Sequence, residues 1–271
     1  MLYINQFFKK VLVLIFISPL VFHGQELIED TFKYKATYKQ TAYLDSTDVD
    51  FVKIEEMHLL VGKQTSMFAS AAMSMQRSLK INRGNSGHTP RAAVTEFPYV
   101  IIKDIKKNKK YYTHKIVDDN FYYEENPDDL KWEIHSETKK YKNYNCVKAT
   151  TNWRGRKYIA WFTKKIPVSD GPYKFNGLPG LIVELYDTKE HYHFELQGFE
   201  KLKKPLKVNI KWSDYIKIGK EKLMETFLTY KKDPMTYAYS PTRRMSPEVH
   251  KAYVKSFTEM VKKRNNHIEL E

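Results

Sequence analysis

The sequence predicts an α+β domain: a predominantly antiparallel β meander, a curved sheet or half-barrel, carrying a methionine-bearing insertion and two C-terminal helices. Three observations lead there. Aromatic residues, among them 20 Tyr and 15 Phe, recur mainly in period-two runs. The turns between those runs are short, as hairpins require. Apolar residues at helical spacing, with helix punctuation, come late in the chain.

Taken in order, residues 1–24 read as a secretory signal peptide. Lys9 and Lys10 precede an apolar run from Val11 to Phe22, broken only by Ser18 and Pro19. That run is shorter than the roughly 20 apolar residues a membrane-spanning helix needs. Residues 25–271 then form one domain, with no later stretch of membrane-spanning length. Strands are expected over Phe51–Gly62, Tyr99–Ile105 and Lys110–Val117, the last two joined as a hairpin with a charged tip. Leu130, Trp132 and Ile134 alternate on one strand face. Asn145–Trp153 and Arg156–Thr163 flank the turn at Arg154-Gly155, and Leu181–Asp187 and His191–Glu200 complete the series.

Residues 64–98 break this pattern. The stretch is small, polar and Met-bearing, and its first part predicts a short helix with Met67, Ala71 and Met75 on one face. The remainder reads as an insertion or lid. Further on, Tyr215, Ile218, Leu223, Phe227 and Leu228 fall at helical spacing. A second helix starts at Ser246 as N-cap, with Pro247 and Glu248 behind it, and ends in Lys262, Lys263 and Arg264.

The formal net charge is +14, falling to +12 once the two leader lysines are removed. The lysines are dispersed between aromatics, as on solvated strand faces, so nucleic acid is not an expected partner. The single cysteine, Cys146, excludes an internal disulfide and reads as a buried thiol.

No cofactor signature is present. The glycine-rich stretch from Ser169 to Asp187 lacks the Lys-Ser/Thr ending of a phosphate loop, and a strand follows it. Its glycines and prolines fit two tight corners: Gly171-Pro172, and Leu178-Pro179-Gly180 as a type II turn, with Gly177 between them. Tyr173 and Phe175 sit between the corners as apolar plugs. Direct contact with a ligand is the other reading of the same residues. His191 and His193 share a strand face and are the weak metal candidates. Met57 and His58 with Met67, Met73 and Met75 invite a copper reading, and the same methionines suit a core or an adaptable groove. Neighbouring acids such as Glu55-Glu56 point to opposite faces of a strand and make poor catalytic dyads. An enzyme of hydrolase or peptidase type would have Asp170, Asp187, Arg156 and His193 as its polar candidates.

Gly177 to Ile182 spells GLPGLI, and it is preceded by Tyr144-Asn145-Cys146, Lys148-Ala149-Thr150, Gly155-Arg156, Ala160–Thr163, Ile166-Pro167 and Gly171-Pro172. This ordered block, about Leu130 to Asp187, resembles the GLPGLI family of exported Gram-negative proteins, a Porphyromonas gingivalis-type domain of unknown function. The resemblance implies secretion, a β-rich domain and no established reaction. It also implies the company of TonB-dependent outer-membrane receptors. The expected function is therefore a non-enzymatic envelope protein, in the periplasm or associated with the outer membrane, that binds an apolar or extended peptide ligand or a receptor partner. Arg156, Trp161, Met67, Met73 and Met75 are the expected pocket residues. An envelope hydrolase, or a copper- or zinc-binding protein, is the alternative.

Overall fold

A computed structural model of the chain describes residues 27–74, 95–125, 130–232 and 246–270. The leader, Met75 and the rest of the insertion to residue 94 lie outside them.

Among the described residues twelve strands form one sheet in the order β12-β6-β5-β4-β3-β2-β1-β11-β10-β9-β8-β7. The first meander comprises β1 (Leu27–Tyr43), β2 (Val52–Val61), β3 (Thr65–Ser70), β4 (Tyr99–Asp104), β5 (Lys109–Ile116) and β6 (Asp119–Glu125). The second comprises β7 (Glu133–Tyr141), β8 (Tyr144–Trp153), β9 (Arg156–Thr163), β10 (Leu181–Asp187) and β11 (Tyr192–Lys211). Antiparallel pairing of β1 with β11, from Leu27↔Lys211 to Ala42↔Tyr192, welds the two. The sheet is not closed. It is also mixed, because β12 (Ile216–Lys217) pairs parallel to β6. The expected meander is therefore present in two halves, within a β-rich α+β fold.

Both faces of the sheet carry apolar clusters. Along β4, Tyr99 and Ile101 enter the larger cluster while Val100 and Ile102 enter the smaller one, which is capped by Trp212. This double burial explains where the sequence misleads. Residues 65–70 form strand β3, not the start of a helix, and every one of them is buried. Phe68 faces one cluster while Met67 and Ala69 face the other, so both faces are apolar or small and the alternation is erased.

A second departure lies at Leu130–His135. Strand β7 begins only at Glu133, so Leu130 and Trp132 pack on the larger cluster from irregular chain, while Ile134 is 52 % exposed. Trp132 donates its indole N–H to the Asn176 carbonyl at 2.8 Å, which ties this approach to the glycine-rich turn.

The helices fall late, as expected. Helix α1 (Lys220–Lys232) begins after Gly219, so Tyr215 and Ile218 precede it, and Tyr215 packs on the Trp212 ring. Leu223 and Phe227 seat α1 against Ile116 and Tyr123 of β5 and β6. Helix α2 (Pro247–Lys262) starts at the predicted cap, where the Ser246 hydroxyl accepts the Val249 N–H.

Two glycines of the motif are required for different reasons. Gly180 has φ +148°, and a Cβ there would lie 2.1 Å from the Thr163 carbonyl oxygen. Its N–H bonds to the Leu178 carbonyl at 2.8 Å, so the corner closes around Pro179 as a three-residue turn, tighter than the expected type II turn. At Gly171 the need is space, since a Cβ would meet Ile182 at 2.7 Å. Tyr173, with φ 51°, takes the left-handed conformation of that first corner.

Gly180→Ala is expected to lose roughly 1–3 kcal/mol from the backbone angle alone, with the clash added to it. Gly198→Ala, where nothing lies within 4 Å of the added Cβ, is expected to stay within about 0.5 kcal/mol of wild type. Urea unfolding of the two variants checks the contrast.

Candidate functional site

The chain from Ser169 to Gly180 folds back on itself through an isolated antiparallel bridge between Asp170 and Asn176. Tyr173, Phe175 and Leu178 project from it into the larger cluster and are buried. The Phe175 ring lies 4.7 Å from Tyr158 and 4.9 Å from Trp153, and Tyr173 lies 5.3 Å from Tyr99.

Lys103 fixes this turn to the sheet. It stands on the buried face of β4, and its ammonium donates to Asp170 Oδ1 at 2.5 Å and to the carbonyls of Gly171 at 2.7 Å and Phe175 at 3.2 Å. Three N–H donors meet three acceptors, which is what a buried ammonium needs. Burial pushes the Lys103 pKa down, and Asp170 opposes that shift.

A second buried lysine, Lys174, ties the turn to the C-terminal tail. It donates to Glu125 at 2.7 Å, Glu269 at 2.5 Å and the Tyr123 hydroxyl at 3.2 Å. Glu269 also accepts from Tyr173 and Lys220. Despite its burial, these partners hold the Glu269 carboxyl at about 2, with Lys174 the largest of the lowering influences.

Arg156 forms a third buried centre. It donates to Asp187 at 3.1 Å, to the Asn266 side chain at 2.5 Å and twice to the His267 carbonyl. Tyr158 and Tyr192 add hydrogen bonds to the carbonyls of Ile268 and Asn266. Residues 266–270, which follow α2 in the chain, are thus laid along the same face as the turn.

The expected pocket residues are divided. Arg156 and Trp161 lie with the larger cluster, where Lys139 stacks over the Trp161 ring at 4.4 Å. Met67 and Met73 pack with the Trp212 cluster on the other face. Met75 lies outside the described residues. His191 bonds to Arg156 at 3.2 Å and His193 to Glu184 at 3.1 Å, so each has its own partner. Among the described residues no group of three or more His, Cys, Asp and Glu is placed to hold a metal. Cys146 is a buried free thiol, and burial raises its pKa. Lys103, Lys110, Lys174 and Glu269 were not anticipated. One signal for Lys103 was legible: it continues the Tyr99, Ile101 face of an otherwise apolar strand.

With the geometry of Trp153, Arg156 and the turn established, one comparison with known proteins picks out the same segment. Residues 153–184 match the family model described as "Protein of unknown function (Porph_ging)". The matched segment contains β9, both corners, the plugs and the start of β10, and the resemblance to the GLPGLI family is compatible with it. No curated protein gives a significant match. Two solved structures of PNGF-II, in C2 and P21 space groups, are similar with TM-scores of 0.53 and 0.51 at 14 % identity. Each likeness covers 74 % of this chain and 33 % or 34 % of the other, so the chain spans about a third of those structures. The likeness is one of fold.

Lys103→Met leaves Asp170 buried and uncompensated, and is expected to cost roughly 3–5 kcal/mol of stability. Chemical unfolding checks it, with the exposed Lys222→Met expected within about 0.5 kcal/mol of wild type. For Glu269 the folded pKa lies below the ordinary 4.5, so its contribution is full above that value and is lost as pH falls toward about 2. The protection of the Leu270 N–H, which bonds to the Arg154 carbonyl at 3.0 Å, against hydrogen exchange, measured relative to the intrinsic rate at each pH, is expected to fall over that window.

Proposed function

We infer that the chain is an exported, non-enzymatic binding or accessory module of the cell envelope whose partner is another envelope protein, of the outer-membrane receptor kind. One observation carries this reading. The polar groups a hydrolase would use are neutralised in separate structural pairs: Asp170 with Lys103, Asp187 with Arg156, and His193 with Glu184. A general base or nucleophile needs an open approach to substrate, and Asp170, Asp187 and Arg156 are buried beneath the motif turn and tail.

The same packing favours a protein partner over an apolar ligand. The face a greasy ligand would occupy is filled by Tyr173, Phe175, Trp153 and Tyr158 of the chain itself. Export rests on the Lys9–Phe22 leader pattern, and the receptor association on the family resemblance. That the fold makes up a third of the PNGF-II structures agrees with a module that works in a larger assembly.

The test is a pull-down with the purified mature chain from solubilised outer membranes, paired with native mass spectrometry of the chain alone. One partner recovered at fixed stoichiometry is expected. A chain that retrieves nothing and carries no bound molecule overturns the reading, and turnover of a peptide or ester substrate lost in Asp187→Asn would replace it with the hydrolase.

A further inference from the structure

Three neighbouring strands place Lys103, Lys110 and Glu125 in register across β4, β5 and β6. These side chains share a face with Asp170 and Lys174 of the motif turn, and the row continues through Glu269 to Lys220. Every carboxylate in the row is already held by a lysine. Asp170 takes Lys103, Glu125 takes Lys174, and Glu269 takes Lys174 and Lys220. Four lysines therefore face three carboxylates, and the one left over is Lys110.

Lys110 is only 5 % exposed, and its ammonium has no hydrogen-bond or ion-pair partner among the described residues. An unpaired buried ammonium is costly. It lines a cavity of about 50 Å³ together with Lys103, Asn108, Asn176, Asp104 and Lys109. A water needs roughly 10–15 Å³ of such space, so this cavity admits a group of several heavy atoms. Asp104 and Lys109 are an oppositely charged register pair on the other face of the same two strands. Asp104 accepts the Lys107 N–H at 3.0 Å and Lys109 pairs with Glu124 at 3.2 Å, so neither is a partner of Lys110. Asn108 and Asn176 carry side-chain amides, whose N–H groups suit an oxyanion.

We propose that this cavity binds one small oxyanion, a carboxylate or a phosphate, which supplies the negative charge missing from the lysine row. The site is distinct from any surface used in the binding-module reading and does not depend on it. Asn176 and the turn it closes against Asp170 then have a second role, as one wall of the anion site behind the motif. The groups facing Lys110 are Lys103, Lys174, Glu125 and Asp170. Burial, with Lys103 and Lys174 beside it, brings the Lys110 pKa down to about 8, against the pull of Glu125 and Asp170. The amine therefore changes charge within reach of ordinary buffers, and anion affinity follows it.

The experiment titrates the mature chain with inorganic phosphate and with formate by calorimetry, and follows lysine side chains by NMR of [13Cε]lysine-labelled protein. In the absence of either anion one lysine is expected to titrate at about 8 and to vanish from the spectrum in Lys110→Met. Millimolar phosphate or formate is expected to move that titration upward. Affinity is expected to fall about tenfold for each pH unit above it, since only the protonated amine binds. Lys110→Met abolishes binding. Lys110→Arg retains it and flattens the pH dependence up to pH about 10, because guanidinium stays charged. Equal binding by wild type and Lys110→Met, no heat and no spectral shift with either anion, or an unchanged pH slope in Lys110→Arg overturns the proposal. If Lys110→Met does not fold, the Lys110→Arg slope decides.

Discussion

The organisation of the larger cluster depends on one buried ammonium. Lys103 reaches from β4 to Asp170 and to two carbonyls of the turn that follows β9, and so joins the two meanders across the sheet face. Apolar packing alone is non-directional; it buries Tyr173 and Phe175 but selects no orientation for the turn. The ammonium selects one, because a turn displaced by a residue would leave a buried charge and two carbonyls unsatisfied. Phe175 and Tyr173 then have fixed places beside Trp153, Tyr158 and Tyr99.

The pattern repeats along that face with Lys174 and Arg156, each satisfied by groups distant in sequence. Buried ion pairs give little net stability, because desolvation offsets their attraction. Their effect here is on geometry. They fasten the short tail, Asn266 to Leu270, to the edge of the core, with Asn266 buried and Ile268 packed on the larger cluster, by giving its carbonyls and carboxylate defined donors. The aromatic surface that a ligand-binding half-barrel would leave open is covered by the chain's own turn and tail.

Much of the sheet was legible from sequence, because hairpins leave local marks. The Arg154-Gly155 turn, with φ of 48° and 76°, sits where two alternating runs meet. The cap at Ser246 is equally local. Strand β3 was hidden because both its faces are buried, and β12 because two residues carry no periodicity. The candidate site was the least legible. Its motif turn was recognisable from Gly and Pro, yet its partners Lys103, Lys174 and Glu269 are ordinary charged residues in the sequence. Only the fold makes them buried, through partners up to 96 positions away in the chain. Met67 and Trp161 illustrate the converse, since each is visibly apolar while the sheet itself separates them.

The weld between β1 and β11 has a kinetic meaning. Paired residues there lie between 150 and 184 positions apart along the chain. During synthesis, β1 is complete long before its partner exists, with only β2 available to cover one edge. Contacts of such separation form late, after the entropy of closing a very long loop has been overcome. Until then the first meander exposes a seventeen-residue unpaired strand edge, the kind of surface that seeks strands from other chains. The charged side chains along it, Lys33, Lys35 and Lys39 among them, keep that waiting edge apart from its neighbours.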